Sequence, residues 1–205
     1  MKIIAIDGPA GAGKGTIARF LAEKLGYPHI DTGLFYRALA LKVRETNTPH
    51  DQEDALAGLS GTLAMKDLQH PNIRDESVAS VASIISVHPL VRAQITHKIR
   101  DLAYSLGTPQ GGIILDGRDV GTVIFPHAAI KLFVTASPDA RYVRRMTEMQ
   151  KQNLSVPQDA LTIRDQRDQT RTPAPLVPAT DAVTIDTTDL SIQDACAKAY
   201  ACVLG

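Results

Sequence analysis

The run Gly8-Pro9-Ala10-Gly11-Ala12-Gly13-Lys14-Gly15-Thr16 follows directly on the apolar segment Ile3-Ile4-Ala5-Ile6 and leads directly into a helical pattern. A buried strand that passes through a glycine-rich turn into a helix is the arrangement that cradles phosphates, so this stretch limits the chain to folds with a strand end facing a helix N-terminus. The glycines leave backbone N–H groups free to converge on an anion, and Lys14 supplies a compact cation for the outer phosphates. Thr16 offers a hydroxyl to a magnesium ion. All of Gly8, Pro9, Ala10, Gly11, Ala12, Gly13, Lys14, Gly15 and Thr16 are therefore candidates for binding the phosphates of a nucleotide.

The rest of the chain alternates between strand and helix. Apolar strands are predicted at Lys2 to Asp7, at Tyr27 to Ile30 running into Asp31-Thr32-Gly33, at Ile113 to Leu115 ending in Asp116, at Ile130 to Val134, and at Ala182 to Ile185. Helices are predicted from Lys14 to a stop at Gly26, from Leu34 to Arg44, as two patterns between Glu76 and Leu106 broken at Pro89, and from Ile192 onward. Residues 46 to 76 read as a small peripheral subdomain with helical content, and Gly107 to Gly112 as a plain loop. This order predicts an α/β, three-layer fold with a five-stranded parallel sheet covered on both faces. Ligands on such sheets bind at the carboxyl ends of the strands, where Asp7, Asp31-Thr32-Gly33 and Asp116-Gly117-Arg118-Asp119 all fall. A chain of 205 residues suits one such domain with inserted subdomains.

Composition narrows the partners. Lys and Arg number 22 against 22 Asp and Glu, so the overall balance asks for neither nucleic acid nor an anionic membrane. With a strand starting at Lys2 and no apolar run long enough to span a bilayer, a cytoplasmic location is expected. Cys196 and Cys202 lie well apart around a helix and are expected to be reduced packing residues. His29, His50, His70, His88, His97 and His127 show neither metal-ligand spacing nor a partnered nucleophile, so nothing in the chain suggests a covalent route.

Any chemistry on bound phosphates piles up negative charge and demands fixed cations. Arg37, Arg118, Arg164, Arg167 and Arg171 are the candidates, with a surface ion-pairing residue as the lesser reading of a helix-borne Arg37. Positions 164, 167, 168 and 171 share one helix face, and that face is charged throughout. Such a face either looks into solvent, with Asp168 pairing its neighbours, or meets an anionic ligand. Its position after a loop containing Pro157, with Arg141, Arg144 and Arg145 on the preceding helix, points to a lid closing over nucleotides. Asp116 reads as a magnesium-shell carboxylate or a strand-end cap, while Arg92 and Ser83 in isolation read as surface residues.

Four blocks in order make a resemblance specific. Asp31-Thr32-Gly33-Leu34-Phe35-Tyr36-Arg37-Ala38, Asp116-Gly117-Arg118-Asp119-Val120-Gly121-Thr122-Val123-Ile124-Phe125-Pro126, Arg164-Asp165-Gln166-Arg167-Asp168-Gln169-Thr170-Arg171 and Ala174-Pro175-Leu176-Val177-Pro178-Ala179 resemble the signature segments of bacterial cytidylate kinases. The resemblance runs from residue 2 to about residue 192, and Gly15 after the lysine also resembles nucleoside monophosphate kinases more than GTPases. It implies a monomer that moves a phosphoryl group from ATP to CMP or dCMP with Mg2+, built from a core (about 1–31, 98–146 and 176–205), a monophosphate-binding subdomain (about 32–97) and a lid (about 147–175). By resemblance Lys14, Arg118 and Arg167 are catalytic, and Thr16 and Asp116 serve the metal. Thr32, Tyr36, Arg37, Ser83, Arg92, Arg118, Asp119, Arg164, Asp168 and Arg171 hold the acceptor, with Thr32, Arg92, Asp119 and Arg171 on the base and Ser83, Arg164 and Asp168 on the ribose. Between Lys42 and Glu76 the chain is shorter than many family members. The alternatives are a kinase for another small acceptor such as UMP or shikimate, and a non-enzymatic ATP-binding module; a GTPase would need an Asn-Lys-x-Asp stretch, which is lacking.

Overall fold

Strand β1 (Lys2–Asp7) is apolar on both faces, as a strand at the middle of a covered parallel sheet must be. In the computed structural model, which describes residues 1–150 and 160–204, β1 lies between β3 (Gly112–Gly117) and β4 (Ile130–Thr135). β2 (His29–Asp31) flanks β3 and β5 (Val183–Asp186) flanks β4, giving the order β2-β3-β1-β4-β5. Every pairing is parallel.

The period of two sorts the side chains. Ile4, Ile6 and Ile114 meet Ile17 and Leu21 of α1 (Lys14–Leu25) and Cys196 and Val203 of α8 (Ile192–Leu204) on one face. Ala5, Ile113 and Leu115 meet Leu39 of α2 (Gly33–Thr46) and Ile95 and Ile99 of α5 (Pro89–Gln110) on the other. Burial of a side chain of this size contributes about 1.5–3 kcal/mol. These two layers hold rigid the strand ends from which the polar residues project.

Two expectations are corrected. α5 continues through Gly107 to Gln110 instead of yielding to a loop. Gly107 packs so closely that a Cβ there would meet Met1 Sδ at 2.4 Å and Ile113 Cβ at 2.8 Å, so the glycine marks a close contact and Gly111 in the left-handed conformation ends the helix. The segment 46 to 76 is helical, with α3 (Glu53–Gly61) and a 3-10 turn at Met65–Gln69, but it is not peripheral. Leu56, Leu63 and Ile73 are buried in the same cluster as Leu39 and Ile99.

α4 (Glu76–Ile85) and α5 meet at Pro89, as expected. α6 (Pro138–Gln150) and α7 (Ala160–Thr170) carry the predicted charged faces; the expected Pro157 loop lies outside the described residues. Among the described residues no single helix is long and apolar enough to cross a membrane, and α4 with α5 reach that length only as a pair bent by 111°.

Candidate active site

The carboxyl ends of β1, β2 and β3 open into a cleft of about 710 Å³ whose walls also include α4, α6, α7 and the start of α8. At its floor Gly8 has a φ of +144°, and a Cβ there would sit 1.9 Å from the Val134 carbonyl oxygen. Only glycine lets the loop pass this close over β4. Gly13, with a φ of +95°, caps α1 and turns the chain so that Lys14 starts the helix. Lys14 is buried and donates from Nζ to the Pro9 carbonyl at 2.7 Å. Burial, reinforced by Arg118, pulls its pKa down to about 7 against the opposing pull of Asp116, Asp7 and Asp31.

Pairing of β2 with β3 sets Asp31 opposite Asp116. Asp116 Oδ1 accepts from His29 Nε2 at 2.6 Å, and its backbone carbonyl accepts from the Thr32 hydroxyl at 2.9 Å. A Cβ placed on Gly15 would lie 3.9 Å from Asp116 Oδ2, so that second oxygen looks toward the first turn of α1, which carries Thr16. Burial and the neighbouring Asp116 push the Asp31 carboxyl up, while Arg74, Arg37 and His29 hold it down. His29 therefore has a partner that its sequence context did not reveal. Among the described residues no three His, Cys, Asp or Glu side chains gather as a metal cage. A hydroxyl and one carboxylate oxygen at a phosphate loop suit Mg2+, which takes few protein ligands and completes its shell with phosphates and water.

Farther along the cleft Asp119 is buried between two guanidinium groups, with Arg92 on Oδ2 and Arg171 Nη2 3.4 Å from Oδ1. Arg92 is itself buried, also donates to the Ser86 carbonyl at 3.1 Å, and stacks 5.7 Å from the centre of the Tyr36 ring. It is not the surface arginine that its local sequence suggests. The Tyr36 hydroxyl and Ser83 Oγ are buried without a hydrogen-bond partner, and burial pushes the Tyr36 phenol up to about 12. Buried polar groups are normally paired, so these two hydroxyls mark a place shaped for another polar molecule.

Between these two regions the cations crowd. Arg37 donates to the carbonyls of Ile73 and Asp75 at 3.1 and 3.5 Å, and burial with Arg164 and Arg145 nearby brings its pKa down to about 10. Arg145 Nη2 and Arg164 Nη1 reach the Glu76 carboxylate at 2.7 and 3.4 Å. Arg118 Nε donates to Asp168 at 2.8 Å and its Nη1 to the Gly8 carbonyl at 3.1 Å, tying α7 to the glycine-rich loop. Arg164, Asp168 and Arg171 thus face the cleft, which decides against the solvated reading of their helix face. Arg167 sits at the margin of that face and is not among the cleft-lining residues.

This geometry coincides with a family. The cytidylate kinase family matches residues 4–203. The chain belongs to that family. A cytidylate kinase of Methylocella silvestris is 45% identical over 199 residues, covering 94% of this chain and 89% of its own, and one of Granulibacter bethesdensis is 44% identical over 202 residues, covering 96% and 94%. Among solved structures, TT1252 from Thermus thermophilus superposes with a TM-score of 0.54 at 20% identity, covering 99% of this chain and 96% of its own. An uncharacterised protein from Eubacterium ventriosum gives 0.51 at 14%, covering 98% and 97%. At such identities the structural likeness concerns the fold.

In this cytidylate kinase family member the site also contains residues that sequence reasoning passed over. Glu76 gathers two arginines, and Arg74 lies 3.5 Å from Asp31. At the end of the cleft beyond the phosphate loop, Arg144 donates to the hydroxyl and carbonyl of Thr187, beside Leu190, Ile192 and Cys196. Thr187 follows β5, so the strand-end rule that singled out Asp31 and Asp116 would have found it too.

Proposed function

We propose that this chain transfers the γ-phosphate of ATP to CMP or dCMP, giving ADP and the corresponding diphosphate, by direct in-line attack of the acceptor phosphate. The observation that carries the acceptor assignment is Asp119, a buried carboxylate held by Arg92 and Arg171 beside the unpartnered hydroxyls of Tyr36 and Ser83. Cytosine presents an amine donor beside the N3 and O2 acceptors, and a carboxylate flanked by guanidinium groups offers the complementary signs. The Thr32 hydroxyl donates its hydrogen bond to the Asp116 carbonyl, so toward a base it acts as an acceptor, which also suits an amine. Ser83, Arg164 and Asp168 are assigned to the ribose.

The phosphates fall to the cations between the two ends. Gly8 through Thr16 wrap the donor's phosphates, Lys14 and Arg118 bridge donor and acceptor, and Arg37 with Arg164 holds the acceptor's phosphate. Fixed guanidinium and ammonium groups in a water-poor cleft need no reorganisation as charge shifts, which makes electrostatic stabilisation the main catalytic contribution. Arg167 would join them only through a movement of α7 that brings it to the cleft. Thr16 and Asp116 Oδ2 are the residues for Mg2+, which when bound neutralises charge on the transferring group. The apolar end beside Arg144 and Thr187 is assigned to the donor's base.

In this reading residues of about 1–31, 98–146 and 176–205 form the core, 32–97 the acceptor-binding part and 147–175 the lid. The enzyme acts as a cytoplasmic monomer, a compartment that suits the free thiols Cys196 and Cys202.

The decisive substitution is Asp119→Asn. An ionised carboxylate attracts the amine of CMP and repels the carbonyl of UMP, and mismatches against a buried polar group reach about 10⁴-fold. In Asp119→Asn, kcat/KM for CMP falls and the CMP to UMP ratio collapses toward unity. An unchanged ratio, with both substrates losing activity equally, would place Asp119 in the phosphate-binding shell instead.

A further inference from the structure

β2 has three residues, and its pairing with β3 sets His29 opposite Ile114 and Asp31 opposite Asp116. Strand alternation puts positions 29, 31, 114 and 116 on one face, the face on which Ile114 packs against Ile17 and Leu21 of α1. His29 and Asp116 are therefore diagonal neighbours under the phosphate loop. Nε2 of His29 lies 2.6 Å from Asp116 Oδ1, and because an ionised carboxylate only accepts, Nε2 carries the proton. Both side chains are largely shielded, at 17% and 9% exposure.

A carboxylate on a short side chain turns about a soft terminal torsion, so its direction is set by what it is bonded to. The Thr32 hydroxyl holds the backbone carbonyl of Asp116 but not its side chain. Asp31 stands opposite across the strand pair with Oδ1 accepting from the Gly33 N–H at 3.1 Å and Oδ2 facing Arg74 at 3.5 Å, so both of its oxygens face donors and neither serves Asp116. His29 is the neighbour that fixes Oδ1, and fixing Oδ1 leaves Oδ2 turned toward Gly15 and the first turn of α1.

We propose that His29 is a positioning residue for phosphoryl transfer: its Nε2–H pins one oxygen of Asp116 so that the other stays aimed at the magnesium position beside Thr16. The inference rests on the assignment of Asp116 to the magnesium shell. Partners one step removed from a metal typically control 10- to 100-fold in metal affinity or activity. They act through ligand direction, with no contact to substrate.

The test measures Mn2+ affinity of the enzyme–ADP complex by electron spin resonance, alongside kcat, the KM values and the melting temperature. His29→Phe keeps a ring and removes the donor, and His29→Leu replaces it if the ring does not fit. His29→Gln restores an N–H at a similar reach. With His29 acting as proposed, the donor-less variant binds Mn2+ and turns over about 10-fold or more weakly. ADP affinity without metal and the KM for CMP hold steady, and His29→Gln recovers most of the loss. A folded donor-less variant with wild-type Mn2+ affinity overturns the proposal, as does a His29→Gln protein no better than the donor-less one. Asp116→Asn separates the two levels: if it weakens Mn2+ binding while the His29 variants do not, only the role of His29 fails. If Asp116→Asn itself binds Mn2+ normally, the assignment of Asp116 fails and the inference with it.

Discussion

A lysine buried at the head of α1 with its pKa drawn down to about 7 is poised to change protonation when an anion arrives. Phosphate oxygens favour the ammonium form and raise that pKa, so at pH 8, where Lys14 in the free protein is mostly neutral, nucleotide binding takes up as much as one proton. Calorimetric binding heats for ATP measured at pH 8 in buffers of different ionisation enthalpy will then differ. Equal heats across buffers would contradict this role. Lys14→Ala abolishes the buffer dependence and lowers turnover by roughly 10²-fold or more, while its thermal melt stays near that of the parent, because a buried ammonium adds little net stability. At this scale the sequence was informative where residues came in blocks. Lys14, Asp116, Arg118 and Asp119 sit in motifs whose spacing carries meaning. His29 and Glu76 do not, and their partners Asp116 and Arg145 are 87 and 69 positions away, a distance at which a lone polar residue gives no local signal.

At the scale of elements, the strands were legible because a strand buried on both faces reads as a continuous apolar run, and β1, β3 and β4 do. The last turns of α5 were not. Gly107 and Pro109 both read as breakers, yet the helix carries them because Gly107 is where β3 and Met1 come closest. α7 was legible as a charged face, but what that face meets depends on residues far along the chain. Leu161 anchors the helix, while Arg164 and Asp168 hold it to Glu76 and Arg118 across the cleft, and Arg141 pairs with Asp165. A helix held among the described residues by Leu161 and by ion pairs that phosphates can replace opens at low cost. Amides of residues 160 to 171 are predicted to gain protection from hydrogen exchange when CMP and a non-hydrolysable ATP analogue bind together, and to gain less with either alone. Equal protection with and without ligands would rule out closure by this helix.

Across the whole molecule, a formal net charge of zero conceals a polar division. Among the described residues nine Lys and Arg side chains line one cleft against five Asp and Glu. The excess of acidic side chains outside it restores the balance, so the field that draws nucleotides is local and will weaken as salt is added. The strand order β2-β3-β1-β4-β5 is what brings these residues together, because it sets the glycine-rich loop beside the ends of β3 and β4 and so joins Lys14, Asp116 and Asp119 in one crevice. In the proposed function this crevice pairs ATP with a cytosine monophosphate. The most direct test of that pairing is the rate of ADP formation from ATP with CMP, dCMP, UMP, AMP, GMP and shikimate as acceptors under one set of conditions. The highest kcat/KM is expected for CMP and dCMP, with the others lower by about 10²-fold or more. Preference for any other acceptor, or ADP formation at the same rate with no acceptor present, would contradict it.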